Sequence, residues 1–294
     1  MTGEDPHGSN RDAWLENRKP GCQENVGPRL EDLAVQTQRS AGCRKPAGDR
    51  LAVVGDVHGD AGRLDRMLRA LCGDGRQVVL VGDYVNRGSD SKGVLSLLAG
   101  AKHRLGDRLV LLSGNHELAM LEFLDRGILP LYEAKGGLAT IRSYLDGSPG
   151  AGGSASAVGS RAPAGPVGWV DGVPGDLHRW FRRAVPADHE RLLREQLDVC
   201  LESDGLLVSH MGFDPEAPED RSLAALVGTP HPELLSDPSA GQRAPRPAVV
   251  FGHYVQTSHR PWRRNGLVCL DTGCGTVQGP LTALLLPEDV FVSV

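Results

Sequence analysis

The chain has 294 residues, with 37 acidic and 32 basic side chains and a formal net charge of -5. Its arginines are scattered rather than gathered in a stripe, which argues against nucleic-acid binding, and no apolar run is long enough for a membrane span. The first 30 residues lack the apolar segment of a secretory signal, so we expect a soluble, cytoplasmic protein and leave its oligomeric state open.

Residues 1–47 are polar and rich in Pro, Gly, Asn and charge, which predicts a disordered N-terminal tail. One folded domain is expected over 48–294. Short apolar runs predict strands at 51–56, 77–83 and 108–115, and helical spacing of apolar residues predicts helices at 61–72, 91–102 and 116–127. This alternation, with strands that are apolar throughout, favours a parallel sheet covered by helices.

The second half of the chain begins with a stretch of Gly, Ala, Ser and Pro at 147–168, which we interpret as a flexible insertion. Helices are predicted at 175–184 and 187–201, and apolar strands follow at 206–210, 248–253, 267–273 and 281–286. The Pro-rich connection 214–247 is expected to cap one face. Four strands with little helix between the last three indicate a second sheet packed on the first.

Six cysteines stand at positions 22, 43, 72, 200, 269 and 274, with no CxxC pair. In a reducing compartment these are expected to be free thiols. Cys72, Cys200 and Cys269 would then act as small buried hydrophobic residues.

Polar residues follow five of the predicted strands at the point where each strand ends. The first three strands end in GDVH, GDYVNRG and GNHE, and two later ones end in SH and GH. Ligands of open α/β sheets bind outside the carboxyl ends of the strands, so we expect one shared pocket. A single motif of this kind would more often be a turn or a surface histidine, but five in chain order favour a functional site.

The residue types in this pocket indicate a metal site. Carboxylate, amide and imidazole groups suit Mn, Fe, Zn or Mg, and the lack of cysteine argues against structural zinc. Six ligands, one of them a carboxylate able to bridge, fit two divalent ions arranged for phosphoryl transfer. Arg87 would add a planar donor for a phosphate group.

Taken in order, GDVHG, GDYVNRG, GNHE, SHMG and FGH resemble the metal signature of the calcineurin-like metallophosphoesterases. The RG after the second aspartate, and LDTGCG at 270–275, are similar to the phosphoprotein phosphatase (PPP) branch with its bacterial serine/threonine phosphatases. The resemblance covers residues 50–288. It implies an α/β (α+β) fold in which helices flank a two-sheet β-sandwich.

The resemblance also implies a role for each residue of the pocket. Two divalent ions would be held with Asp83 as the bridge, the first by Asp56, His58 and Asp83, the second by Asp83, Asn115, His210 and His253. Mn is the favoured metal, with Fe, Zn and Mg as alternatives. Arg87 would hold the phosphate and His116 would protonate the leaving oxygen.

Two features depart from the family pattern. Eukaryotic members usually carry Asp where this chain has Asn86, whose amide oxygen is expected to accept the N–H of His116 without a charge that raises its pKa. A further phosphate-binding arginine is also expected between the last two metal histidines. Arg221, Arg243 and Arg246 are candidates, and at least two of them are expected to be solvated loop residues.

Other polar residues receive structural interpretations. Glu117 is expected to stabilise the start of its helix, and Asp271 to form a turn or support the site from behind. Tyr84 and Met211 either line the pocket or pack. Five histidines are expected at the surface: His103, His178, His189, His231 and His259.

The sequence therefore favours a hydrolase of phosphate monoesters, with serine/threonine phosphoproteins or small phosphorylated molecules as substrates. A dinucleoside polyphosphate hydrolase of the diadenosine tetraphosphate type is the enzymatic alternative, built on the same metal site. A non-catalytic binding scaffold is a weaker alternative, because a scaffold would need neither Asp83 nor Asn115. Substrate choice is expected to depend on loops 128–175 and 214–247.

Overall fold

The computed structural model describes residues 43–145, 175–246 and 248–294. The predicted insertion 147–168 and tail residues 1–42 lie outside them. Eight α-helices are numbered here in chain order: α1 Ala61–Leu71, α2 Ser91–Leu105, α3 Asn115–Arg126, α4 Leu129–Ala134, α5 Gly137–Leu145, α6 Gly175–Ala184, α7 Ala187–Glu195 and α8 Glu233–Ser236. No helix in the described ranges is long and apolar enough to cross a membrane.

The strands form two sheets. Their bounds are β1 Leu51–Val54, β2 Gln77–Leu80, β3 Leu109–Leu112, β4 Leu197–Asp198, β5 Cys200–Ser203, β6 Leu206–Ser209, β7 Ala248–Phe251, β8 Trp262–Arg264, β9 Leu267–Cys269, β10 Thr282–Leu286 and β11 Val290–Ser293. The first sheet has the order β11-β10-β1-β2-β3-β4, and the second has the order β5-β6-β7-β9-β8. Strands β1 to β4 are parallel, as are β6, β7 and β9.

The two sheets pack face to face through alternate residues of their strands. Leu51 and Val53 of β1 point into the space between the sheets, where they meet Val208 of β6 and Val250 of β7. Successive side chains of a strand point to opposite faces, so Ala52 and the other even-numbered residues of β1 face the helices instead. The strands of the first sheet are thus buried on both sides, which explains their continuous apolar sequences.

Each sheet also has an outer cover. Helix α1 begins after its N-cap, Asp60, whose side chain accepts the Arg63 backbone N–H at 2.9 Å, and its apolar stripe packs on the first sheet. The connection after β6 covers the second sheet, with Leu226, Val227 and Leu234 buried against its outer face. The predicted capping role of 214–247 is therefore confirmed for its described part.

The predicted fold class, a two-sheet β-sandwich flanked by helices, is confirmed. The helix predicted at 187–201 ends at Glu195, because β4 and β5 follow at once and join different sheets. Helices α4, α5 and α8 and strands β4, β5, β8 and β11 were not predicted.

The start of the body and one cysteine prediction need correction. Arg44 pairs with β5: its N–H donates to the Cys200 carbonyl at 2.9 Å, and its carbonyl accepts from Glu202 at 2.8 Å. Residues 43–47 therefore belong to the folded body, which begins before the predicted boundary. This pairing brings Cys43 to Cys200, with Cα atoms 4.7 Å apart, and the two form a disulfide rather than free thiols. Cys72, Cys269 and Cys274 are free.

Candidate metal centre

The candidate site lies where parallel strands of both sheets end. The predicted ligands follow β1, β2, β3, β6 and β7 by one to four residues. The two sheets meet closely here, because a Cβ on Gly252, after β7, would overlap Asp56 Oδ1, after β1. The carboxyl ends of five strands thus deliver their side chains to one place, as the sequence predicted.

The backbone at these strand ends is strained. Five predicted site residues have φ between 44° and 71°, in the left-handed region: His58, Asp83, Asn86, Arg87 and His253. Each such residue costs roughly 1–3 kcal/mol and persists only where the surrounding structure holds it. These turns take the chain out of the strands at the edge where the side chains of His58 and His253 lie close to Asp83.

Asp83 lies between two groups of potential metal ligands. One group combines Asp83 with His58 and His116, the other combines it with His210 and His253, and the ligand atoms within each group lie within 4.8 Å of one another. The carboxylate uses both oxygens, with Oδ2 3.6 Å from His58 Nε2 and Oδ1 3.3 Å from His210 Nε2. Asp83 can therefore contact an ion in either group, and its bridging of two ions stays a prediction.

The direction of the lone pairs fits cations on both sides of Asp83. Nδ1 of His58 lies 3.1 Å from the Val85 carbonyl, and Nδ1 of His210 lies 3.1 Å from the Val81 carbonyl. Each ring must donate from Nδ1, so each Nε2 turns a lone pair toward the Asp83 carboxylate. Two acceptors facing each other without a proton between them repel unless a cation lies there, so this donor set fits metal ions.

Asn115 completes the second group. Its amide lies 3.2 Å from His210 Nε2 and 3.2 Å from Asp83 Oδ1, and both are acceptors. With a cation present the amide oxygen would face that side. Without one, the NH₂ group faces it and the oxygen accepts from Lys135 Nζ at 2.7 Å. The orientation of this side chain therefore depends on the charge at the centre.

Asp56 occupies a different position from the other predicted ligands. Among the described residues it belongs to neither compact group. Its two oxygens accept the His253 backbone N–H at 3.2 and 3.0 Å, and it is buried. Burial, and the nearby Asp271 and Asp83 carboxylates, raise its pKa well above the usual range. Crowding of these carboxylates is relieved by a divalent cation, which again fits a metal centre.

The imidazoles of the site are neutral. Burial lowers the pKa of His58 and of His210 to about 3, and that of His253 to about 2. A metal ligand must offer a lone pair, so these shifts leave all three rings ready to bind at neutral pH. The opposite shift at Asp83, where burial raises the pKa, has the same origin in the dry surroundings of the site.

Glu117 anchors the loop that carries Asp83. Its Oε1 accepts the N–H groups of Tyr84 and Val85 at 2.8 and 3.2 Å, and its Oε2 accepts those of Asp83 and Gly114 at 2.8 and 3.0 Å. All four partners are donors, so the carboxylate is ionised although burial raises its pKa. The structural role expected at the start of α3 is confirmed, and it extends to the loop after β2.

His116 lies beside the first group, with Nε2 3.7 Å from Asp83 Oδ2. Asn86 contacts this ring, but the expected direction was wrong. Nδ2 of Asn86 donates to His116 Nδ1 at 3.0 Å, while Oδ1 of Asn86 accepts from the Thr140 hydroxyl at 2.8 Å. The neutral ring consequently carries its proton on Nε2. Burial lowers the pKa of His116, and electrostatic repulsion from the nearby His58 lowers it further.

Arg87 is exposed, and its Nη1 lies 3.3 Å from His58 Nε2. The three candidates for a second phosphate-binding arginine have carboxylate partners instead. Arg221 and Arg246 contact Glu202 at 2.7 and 2.8 Å, and Arg243 contacts Asp237 at 2.7 Å. Arg221 is largely buried rather than solvated, with 14% of its side chain exposed.

Several remaining predictions concern residues around the site. Tyr84 packs, since it is fully buried and its hydroxyl lies 2.7 Å from the Leu112 carbonyl. Asp271 supports the turn after β9 by accepting the Gly273 N–H at 3.0 Å. His189 and His231 are buried, so their predicted surface position was wrong. His189 contacts Tyr144 and Ser96 between helices.

Two residues near the site were missed by the sequence reasoning. Thr140 of α5 holds Asn86 through its hydroxyl, and Lys135 reaches Asn115 from the turn between α4 and α5. The Gly-Gly pair at 136–137 marks that turn in the sequence, but no local pattern indicates that it returns to the strand ends.

Comparison with known proteins agrees with this geometry. Residues 49–271 match the family described as calcineurin-like phosphoesterase. A 111-residue region is 32% identical to serine/threonine-protein phosphatase PP1-1 of Saccharomyces cerevisiae, spanning 36% of this chain and 35% of that protein. The chain thus covers about a third of the length of that relative.

Two solved structures share the fold. A proposed diadenosine tetraphosphatase is 23% identical, with 86% of this chain and 97% of that chain covered and a TM-score of 0.50. A mutant of a cold-active protein tyrosine phosphatase is 15% identical, with 88% and 84% covered and a TM-score of 0.50. The family match spans most of the chain, which therefore belongs to the calcineurin-like metallophosphoesterases.

Proposed function

We propose that the chain is a dinuclear-metal phosphoesterase that hydrolyses phosphate monoesters, with serine/threonine phosphoproteins as its substrate class. The observation that carries the proposal is the position of Asp83, whose two oxygens face the unprotonated Nε2 atoms of His58 and His210 at 3.6 and 3.3 Å. A carboxylate held between two sets of lone pairs is what a pair of cations requires.

The residues that would hold the first ion are Asp56, His58 and Asp83, and those for the second are Asp83, Asn115, His210 and His253. Mn is the proposed metal, because mixed oxygen and imidazole ligands suit it, with Fe, Zn and Mg as alternatives. When bound, the ions would polarise the phosphoryl group and activate a water molecule for in-line attack.

Arg87 would bind the phosphoryl oxygens. Its guanidinium is exposed beside His58, while its backbone N–H donates to the Gly136 carbonyl at 3.2 Å. A charged fork on a fixed backbone contacts two oxygens at once and stabilises the negative charge of the transition state.

His116 would protonate the leaving oxygen from Nε2. A doubly protonated ring needs an acceptor at Nδ1, and Asn86 supplies one when its amide turns by half a rotation. Thr140 permits this turn, because its hydroxyl lies 2.8 Å from both Asn86 Oδ1 and Ser91 Oγ and can donate to either. Asn86 can therefore hold both protonation states of His116.

The phosphopeptide is supported as substrate class by the 32% identity of a 111-residue region to a serine/threonine-protein phosphatase. The second candidate, a dinucleoside polyphosphate hydrolase, is favoured by the match to a proposed diadenosine tetraphosphatase over 97% of its length.

The test is hydrolysis of a serine phosphopeptide and of diadenosine tetraphosphate by the full chain with Mn(II). The proposal expects the higher kcat/KM for the phosphopeptide, and a reversed preference would replace the proposed substrate class by the second candidate. His116→Asn should lower kcat roughly a hundredfold for the phosphopeptide, the usual range for a general acid, and less for nitrophenyl phosphate. An equal loss on both would remove His116 from the role of acid.

A further inference from the structure

Lys135 places an ammonium group at the candidate centre. The residue is the C-cap of α4 and is half-buried, and its Nζ lies 2.7 Å from the amide of Asn115. Its electrostatic interactions reach Asp83, which attracts it, and Arg87, which repels it. Among the ion pairs of the described residues, none includes Lys135, so its hydrogen-bonding capacity is not used by a carboxylate.

The backbone fixes Lys135 next to Arg87. The N–H of Lys135 donates to the Tyr132 carbonyl at 3.2 Å, and the following residue, Gly136, accepts the Arg87 N–H at 3.2 Å. Gly136 has φ of +77°, and a Cβ there would lie 3.0 Å from Arg87 Cγ. The close approach requires glycine, and it holds the two cations on adjoining backbone segments.

The position of Asn115 makes Lys135 sensitive to the metals. When the amide oxygen turns toward a cation beside Asp83, the NH₂ group faces Lys135 Nζ at the same 2.7 Å. Two donors repel at this distance, so the ammonium must leave Asn115 and find another acceptor. A phosphoryl oxygen bound by the neighbouring Arg87 is such an acceptor.

We propose that Lys135 is the second cation that binds the phosphoryl group, beside Arg87, and that metal binding releases it from Asn115 for this task. The inference rests on the proposed function, since it assumes a phosphate ester at Arg87. It also supplies the second phosphate-binding cation that the family pattern leads one to expect. Each arginine considered for that role is paired with a carboxylate instead: Arg221, Arg243 and Arg246.

The experiment measures binding of inorganic phosphate to the Mn(II)-loaded full chain by calorimetry, together with kcat and KM on the phosphopeptide. Lys135→Gln should weaken phosphate binding roughly tenfold or more, the usual effect of losing one charge-assisted hydrogen bond. Lys135→Arg should restore most of it. Affinity for Mn(II) should not fall in Lys135→Gln, because the lysine competes with the metal for Asn115.

The matched control is Lys102→Gln. Lys102 is also half-buried, but its Nζ donates to the carbonyl of Leu109 at 2.6 Å, at the opposite end of β3 from Asn115. This variant should bind phosphate as the unchanged protein does. Urea unfolding of all three variants separates a loss of binding from a loss of folding.

The outcomes distinguish the two proposals. Equal phosphate affinity in Lys135→Gln and the unchanged chain would overturn the role of Lys135, even if the phosphopeptide is hydrolysed. Weakened Mn(II) binding in Lys135→Gln would also overturn it, since the lysine would then support the metals. If the unchanged chain binds phosphate and hydrolyses no ester, the proposed function fails, and the binding comparison still decides Lys135. Absence of phosphate binding by the unchanged chain would overturn the role of Lys135, while the hydrolysis assay decides the proposed function.

Discussion

Glu117→Gln tests how the loop carrying Asp83 is held. The substitution keeps the shape of the side chain, which is fully buried, and replaces one carboxylate oxygen by an NH₂ group. Either orientation of the new amide turns that NH₂ toward two backbone donors, because Oε1 and Oε2 each accept two N–H groups.

The magnitude follows from those contacts. Each buried donor left without an acceptor costs about 1–3 kcal/mol, so two of them should lower the free energy of unfolding by roughly 2–6 kcal/mol. Two of the four N–H groups belong to Asp83 and Gly114, which precedes Asn115. Relaxation of this loop should therefore also weaken Mn(II) binding by at least about tenfold, equivalent to 1.4 kcal/mol.

The assay is urea unfolding of the metal-free protein, followed by Mn(II) titration of the folded variant. Glu122→Gln is the control, since Glu122 is a largely buried carboxylate in the same helix, whose ion-pair contact with Arg126 is 3.8 Å long. Its loss should cost below about 1 kcal/mol. If Glu117→Gln were as stable as Glu122→Gln and bound Mn(II) normally, the anchoring role of Glu117 would be refuted.

Two further predictions concern packing and charge. Gly252→Ala places a methyl group on Asp56 Oδ1, so this variant should fold but bind metal more weakly. Gly205→Ala, with open space around its Cβ, should fold and bind metal as the unchanged chain does. Equal metal affinities of the two variants would contradict the close approach of the two sheets at the site. Hydrogen bonds from Arg221 lower the pKa of Glu202, so their stabilisation is present above the unfolded pKa and lost as pH falls through the folded one. Glu202→Gln should thus lower the free energy of unfolding by about 1–3 kcal/mol at pH 7, and this difference from the unchanged chain should narrow below about pH 4. If urea unfolding gave the same difference at every pH, packing rather than charge would explain it.

The sequence predicted the strands that carry the site because each is a short apolar run closed by glycine and a polar residue. Burial on both faces makes β1, β2 and β3 apolar throughout, a signal that survives without any knowledge of their partners. Strands β8 and β11 lack that signal, because β8 is WRR and β11 lies at a sheet edge with Phe291 exposed. These two strands form by pairing with other strands of their sheets, which a local sequence pattern does not predict.

The details of the site required the folded chain. The contact of Asn86 with Thr140 joins residues 54 positions apart, and the disulfide joins cysteines 157 positions apart. No spacing rule connects such residues. The direction of the Asn86 hydrogen bond was predicted wrongly because Thr140 donates to the amide oxygen and leaves the NH₂ group for His116.

The measurement that tests the two-metal account most directly is metal content and turnover of Asp83→Asn beside the unchanged chain, after loading with Mn(II) and removal of free metal. The unchanged chain should hold two ions and hydrolyse the phosphopeptide. Asp83→Asn, which removes the charge shared by both groups of ligands, should hold fewer than two ions and lose turnover. Two ions per chain with near-normal turnover in Asp83→Asn would contradict the account.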